Sequence, residues 1–122
     1  MIRSAERADT PALLALGEAT GLFQPHELEV LDAMLSEYFA GTLDDGHTWI
    51  ADDEDGVMAA AYFAPEIMGD GVWNLYFIGV HPDRQGQGRG AALLAHVERD
   101  LRRQGGRMLL VETSATDGFA LT

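Results

Sequence analysis

The chain of 122 residues contains no cysteine. That excludes disulfides, thiolate metal sites and a cysteine nucleophile. It contains no lysine either, all eight basic residues being arginine. Schiff-base chemistry on the chain is therefore excluded, and so is a Walker phosphate loop, which requires Gly-Lys-Ser/Thr. No apolar run approaches the length of a bilayer span. The opening segment MIRSAERADTP also lacks the apolar stretch of a secretory signal. These absences predict a soluble, cytoplasmic protein with no membrane partner.

Positive charge is scarce and unevenly placed. Residues 1–70 carry 15 acidic side chains against Arg3 and Arg7, while six arginines lie between Arg84 and Arg107. An acidic first half repels phosphate backbones, so no nucleic-acid partner is expected. The arginine-bearing second half remains suited to a smaller anion. His26, His47, His81 and His96 show no ligand spacing, and DDEDG at 52–56 lacks the twelve-residue calcium pattern. No metal is expected.

What is present is the patterning of a single α/β domain, taken as 1–122. MIRSA reads as a short strand. Asp9 or Thr10 followed by Pro11 opens a first helix, and Pro25 to Gly41 brackets a second. Leu28, Leu31, Leu35 and Phe39 give that second helix one apolar face. HTWIAD and VMAAAYFAP form a hairpin around DEDG, and VWNLYFIGV is a third strong strand. A helix from Arg89 to Gln104 and a strand at 107–113 then complete a right-handed crossover, which makes the strands at 72–80 and 107–113 parallel.

Between that strand and helix stands VHPDRQGQGRGAALL. Gly86, Gly88 and Gly90 let backbone amides approach a ligand closely, at the point where a helix begins. Unpaired amides and the helix dipole at one point suit an anion such as pyrophosphate, with Arg84 and Arg89 as possible helpers. A dinucleotide fingerprint, G-x-G-x-x-A, is matched by Gly86, Gly88 and Ala91. The intervening HPDRQ and the preceding antiparallel hairpin fit that fold poorly, because the dinucleotide turn follows its strand directly.

The same stretch resembles the acetyl-CoA loop of the GNAT family of N-acetyltransferases, Gln/Arg-x-x-Gly-x-Gly/Ala. Gln85, Gly88 and Gly90 fill that pattern, Val80 and Pro82 precede it, and the element order agrees over residues 1–113. The resemblance implies a GNAT-like mixed sheet and acetyl transfer from acetyl-CoA, as cosubstrate, to a primary amine of a small molecule or peptide. It implies that amides of Gln85, Gly86, Gln87, Gly88, Arg89, Gly90 and Ala91 hold the pyrophosphate, with Arg84 beside them. Ile78, Gly79 and Val80 would pair with the pantetheine arm as an added strand would, and an amide among them would stabilise the oxyanion. The acidic first half suggests a cationic acceptor.

Two departures qualify the expectation. Where some members carry a glutamate base early on the strand, this chain has Asn74. Tyr76 faces the same side, and Glu112 is the nearest sequence candidate for a base. Members also continue with a helix, which brings a tyrosine acid, and a hairpin. Here no tyrosine follows Tyr76, and the sequence ends at SATDGFALT. The domain is therefore expected to lack that helix and hairpin, as a fragment, as a reduced domain, or as a homodimer whose partner completes the exposed edge at 107–113. The alternatives to an active enzyme are an inactive CoA-binding or interaction module and a nucleotide-binding fragment.

Overall fold

The computed structural model describes residues 1–21, 23–43, 46–66, 70–111 and 118–120. Six strands form one sheet in sequence order: β1 (Ile2–Ser4), β2 (Thr48–Asp53), β3 (Val57–Pro65), β4 (Val72–Val80), β5 (Met108–Val111) and β6 (Gly118–Ala120). All neighbouring pairs are antiparallel except β4 and β5, which are parallel as the crossover requires. The helices are α1 (Thr10–Ala19), α2 (Leu28–Ala40) and α3 (Arg89–Arg103).

The helix boundaries follow from local chemistry. Asp9 precedes α1, but its carboxylate accepts from the Glu6 amide and from Arg3 rather than capping the helix. Before α2, Pro25 opens a single 3-10 turn, and the Gln24 amide donates to Glu27 Oε1 at 2.9 Å in a capping box. Gly41, at φ +74°, then closes α2 in the left-handed conformation that L side chains avoid.

Two apolar layers sandwich the sheet, and β3 shows how. Its Ala59, Ala61 and Phe63 face α3, packing with Leu93, Val97 and Leu101. The alternate Ala60 and Tyr62 face Leu13 and Leu16 of α1 and Leu31 and Leu35 of α2. This is the period-two alternation of a sheet covered on both sides.

Two irregularities in β4 shape its centre. Tyr62 pairs with Phe77 and Phe63 with Leu75, so Tyr76 has no opposite residue on β3. Such a bulge shifts the side-chain parity. Trp73 and Leu75 face α3 before it, and Ile78 and Val80 face α3 after it. The second irregularity is on the other edge. β4 pairs with β5 only from Val72↔Met108 to Leu75↔Val111, so among the described residues the edge from 76 to 80 is unpaired.

The far edge corrects an expectation. The described part of that strand, β5, is not a bare edge, because β6 pairs antiparallel with it from Met108↔Ala120 to Leu110↔Gly118, and residues 112 and 113 lie outside the described residues. Met108 to Leu110 therefore find main-chain partners within the chain on this side.

Candidate active site

The glycine loop closes onto β4 through its own polar groups. Gln85 Nε2 donates to the Val80 carbonyl at 3.2 Å, and the Asp83 amide donates to His81 Nδ1 at 3.1 Å. Gln85 therefore fixes the loop against the end of the strand. Gly86 and Gly88 stand at φ +78° and +77°, and a Cβ at either would meet nothing within 4 Å. Backbone conformation demands glycine here, while the space in front of the loop stays open. Gly88 begins α3 with no side-chain cap, so the amides of the first turn face that open space with the positive end of the helix dipole.

The two loop arginines have different surroundings. Arg89 turns back to the sheet, where its Nη1 donates to Asp52 at 3.1 Å and its Nη2 to Glu54. Those carboxylates, Glu54 foremost, hold its guanidinium charge above the ordinary arginine value. Its side chain clamps α3 to the β2–β3 turn, while its amide stays at the helix start. Arg84 makes no ion pair among the described residues, leaving it as the loop cation free to meet an anion. A depression of about 450 Å³ adjoins the loop, between Ile2, Asp52, Glu54 and Gln87 to Arg89. Both of its carboxylates are already paired with Arg89.

Past the glycine loop, the unpaired edge of β4 presents Ile78, Gly79 and Val80. A Cβ at Gly79 would stand 2.9 Å from the Phe77 ring and 3.1 Å from Thr20 Cγ2. Glycine is needed there because the end of α1 and the neighbouring ring lie against the strand. An extended chain lying along this edge would find main-chain donors and acceptors unopposed by β5.

On the α1–α2 face of the sheet, beside the bulge, runs a string of polar groups. Asn74 is 2% exposed. Its Nδ2 donates to Glu66 Oε2 at 2.7 Å and lies 3.4 Å from the Tyr76 hydroxyl. Its Oδ1 is buried without a partner among the described residues. The Tyr76 ring packs 5.3 Å from that of Tyr62, whose hydroxyl lies 2.6 Å from His47 Nδ1. Burial pushes the Tyr62 phenol up to about 12, so it stays protonated.

The sequence-derived residues thus fall into two groups. Those of the loop and of the end of β4 form one continuous surface. Tyr76 stands beside Asn74, as the strand period requires. Glu112 lies outside the described residues. Glu66 and its contact with Asn74 were missed, since EIMGDG reads as a connecting loop. Hairpin register carried the signal. Ala64 pairs with Asn74, so Glu66, two residues on, is a diagonal neighbour on the same face.

The model of the acetyltransferase (GNAT) family matches residues 14–120. Among solved structures, a protein assigned to the same family from Desulfovibrio desulfuricans is 32% identical, with a TM-score of 0.84 over 94% of this chain and 74% of its own. The chain belongs to the GNAT acetyltransferase family. By that membership it is an N-acetyltransferase with acetyl-CoA as the acetyl donor. The ribosomal-protein-S18-alanine N-acetyltransferase of Escherichia coli is 25% identical, with a TM-score of 0.70 over 96% of this chain and 68% of its own. A family acetyltransferase from Brucella melitensis in complex with acetyl-CoA is 24% identical, with a TM-score of 0.74 over 93% and 75%. The first supports the family, and the last shares the fold. A search of the curated proteins returned no match. Among the described residues, no helix is long and apolar enough to cross a membrane.

Proposed function

We propose that residues 1–122 form one acyltransferase domain that works in the cytoplasm. In this reading the amides from Gln85 to Ala91 bind the pyrophosphate of acetyl-CoA, Arg84 adds a charge-assisted bond, and the pantetheine arm lies along Ile78 to Val80. The observation that carries it is the uncapped start of α3, behind two glycines in the left-handed region. The Brucella structure, named for its acetyl-CoA complex, supports the same choice of ligand on this fold.

The acceptor is a primary amine of cationic character, approaching the bulge of β4 from the α1–α2 face. That face belongs to the acidic first half of the chain, which draws an ammonium group by long-range attraction. Direct attack follows. The free amine adds to the thioester carbonyl, a main-chain amide at the open edge of β4 stabilises the oxyanion, and CoA thiolate departs.

Calorimetry with acetyl-CoA and with NAD, followed by thiol-release assays on a panel of primary amines, tests this reading. The panel comprises a diamine, an arylalkylamine and a tripeptide with a free N-terminal alanine. Acetyl-CoA binding with turnover of at least one amine is expected. Binding of NAD in place of acetyl-CoA would overturn the loop assignment, and acetyl-CoA binding without turnover would favour an inactive module.

A further inference from the structure

Asn74 occupies the strand position where some members of the family carry a carboxylate base, and it is buried. A buried amide needs partners on both of its ends. One end is satisfied, since Nδ2 donates to Glu66 Oε2 at 2.7 Å. The amide cannot be turned around without loss, because a carboxylate accepts hydrogen bonds and Oδ1 has none to give. Oδ1 is consequently the end left buried without a donor.

Two acceptors therefore belong to one cluster: the Glu66 carboxylate, 2.7 Å from Asn74 Nδ2, and Oδ1 of the same amide, with the Tyr76 hydroxyl 3.4 Å from Nδ2. Asn74 lies two positions before the bulged Tyr76, next to the point where the paired part of β4 and β5 ends at Leu75↔Val111. A primary ammonium carries three N–H donors and suits this arrangement: one to the carboxylate, one to the amide oxygen, and one left over.

We propose that Glu66, a residue of the β3–β4 connection, receives the acceptor's ammonium group and takes its proton, with Asn74 as the residue that positions it. The inference rests on the amine-acetylating function proposed above and names the side chains that serve it. R–NH3⁺ gives one proton to the Glu66 carboxylate, and the freed amine forms a bond to the thioester carbon. The C–S bond then breaks, and the nitrogen's second proton ends on the departing thiolate. The products are the N-acetylamine, CoA thiol and a proton that Glu66 returns to water. A carboxylate just past β3 thus does what a carboxylate on β4 would have done, reached through an asparagine.

Steady-state kinetics of the full chain decide it, with the amine that the wild type uses best. Glu66→Gln is expected to lower kcat at pH 7 about 100-fold, the usual contribution of a general base. Its residual kcat should rise about tenfold per pH unit between pH 7 and 9, because the amine must then shed its proton unaided. The wild type should be level over that range. Glu66→Asp should recover at least about a tenth of the wild-type rate with a level profile. The affinity for acetyl-CoA, measured on the same samples, should change less than about twofold, since Glu66 lies outside the loop.

A Glu66→Gln kcat within threefold of wild type, or a loss of equal size at every pH with Asp no better than Gln, would overturn the proposal alone. Should Glu66→Gln fail to fold, Glu66→Ala decides on the same two readouts, and a kcat within threefold of wild type at pH 7 overturns the proposal. A wild type that binds acetyl-CoA and acetylates no amine overturns the parent reading, and this one with it.

Discussion

The two ends of the candidate cleft are made of different material. The proposed cofactor end is main chain: left-handed glycines, uncapped amides and a strand edge unpaired among the described residues, where side chains serve mainly to hold the loop still. The proposed acceptor end is side chain: Glu66, Asn74, Tyr76, Tyr62 and His47, drawn from two strands and two connections and held by hydrogen bonds and a ring contact. A donor common to many reactions can be held by groups every residue carries. An acceptor must be told from other amines, and that takes side chains.

The sharpest way to break this contrast is to put a side chain where the main chain works. Gly88→Trp forces a bulky residue to φ +77° and into the space in front of the amides. Affinity for acetyl-CoA should fall about 100-fold, the strain of a left-handed L residue adding to blocked approach. Far-UV circular dichroism should stay native, since the added Cβ meets no neighbour. Unchanged affinity in calorimetry would remove the loop from the account.

The converse change is Asn74→Ala, which deletes the donor that holds Glu66. An expected loss of about 10-fold in kcat, with acetyl-CoA affinity unchanged, would mark the amide as a positioning group. Stability should change little, because the substitution also removes the orphaned Oδ1 from the interior. A fall in acetyl-CoA affinity as large as that in kcat would show that the two ends are not separable.

The same contrast explains what the sequence could yield. A main-chain site needs particular residues at consecutive positions, so Gln85, Gly86, Gly88 and Gly90 were legible as a motif. The helices and the crossover were legible from Pro11, Pro25, Gly41 and the Leu93–Val97–Leu101 stripe. A side-chain site depends on strand register, and register is a non-local property. Glu66 meets Asn74 only because Ala64 pairs with Asn74, and the Tyr76 bulge arises from the β3–β4 pairing. β6 was missed because three residues, GFA, carry no period to read. Arg89 was read as a possible anion ligand, since nothing local shows that Asp52 and Glu54, some 35 residues earlier, reach it.

A control belongs to neither end. Arg3 grips Asp9 with two hydrogen bonds, 2.8 and 2.9 Å, and also bonds Asp53 at 3.0 Å, tying the start of α1 to β1 and β2. The Arg3 guanidinium, more than any other group, holds the Asp9 carboxyl below its ordinary value. A depressed carboxyl stabilises the fold above its unfolded pKa and loses that contribution as pH falls through the folded one. Asp9→Asn should therefore lower Tm by about 5 °C at pH 7 and progressively less below about pH 4. Differential scanning calorimetry against pH checks it, and a Tm deficit that persists at pH 2 would sink the linkage.

The smallest expected effect is the most discriminating. If the cofactor end is main chain, Arg89→Met should weaken acetyl-CoA binding by less than about threefold, because the lost guanidinium points at Asp52 and Glu54. Its amide, the part proposed to meet the pyrophosphate, is retained. What changes is the clamp: Asp52, 6% exposed, loses one of its two cationic partners and keeps the N-terminal ammonium. Unfolding should come at lower urea, and the loss should shrink in high salt as the exposed Glu54 bond is screened. Arg84→Met, by contrast, removes the unpaired loop cation and should weaken acetyl-CoA more than Arg89→Met does. The reverse order in calorimetry would mean that Arg89 leaves its carboxylates for the cofactor, and that a side chain shares the work assigned here to the backbone.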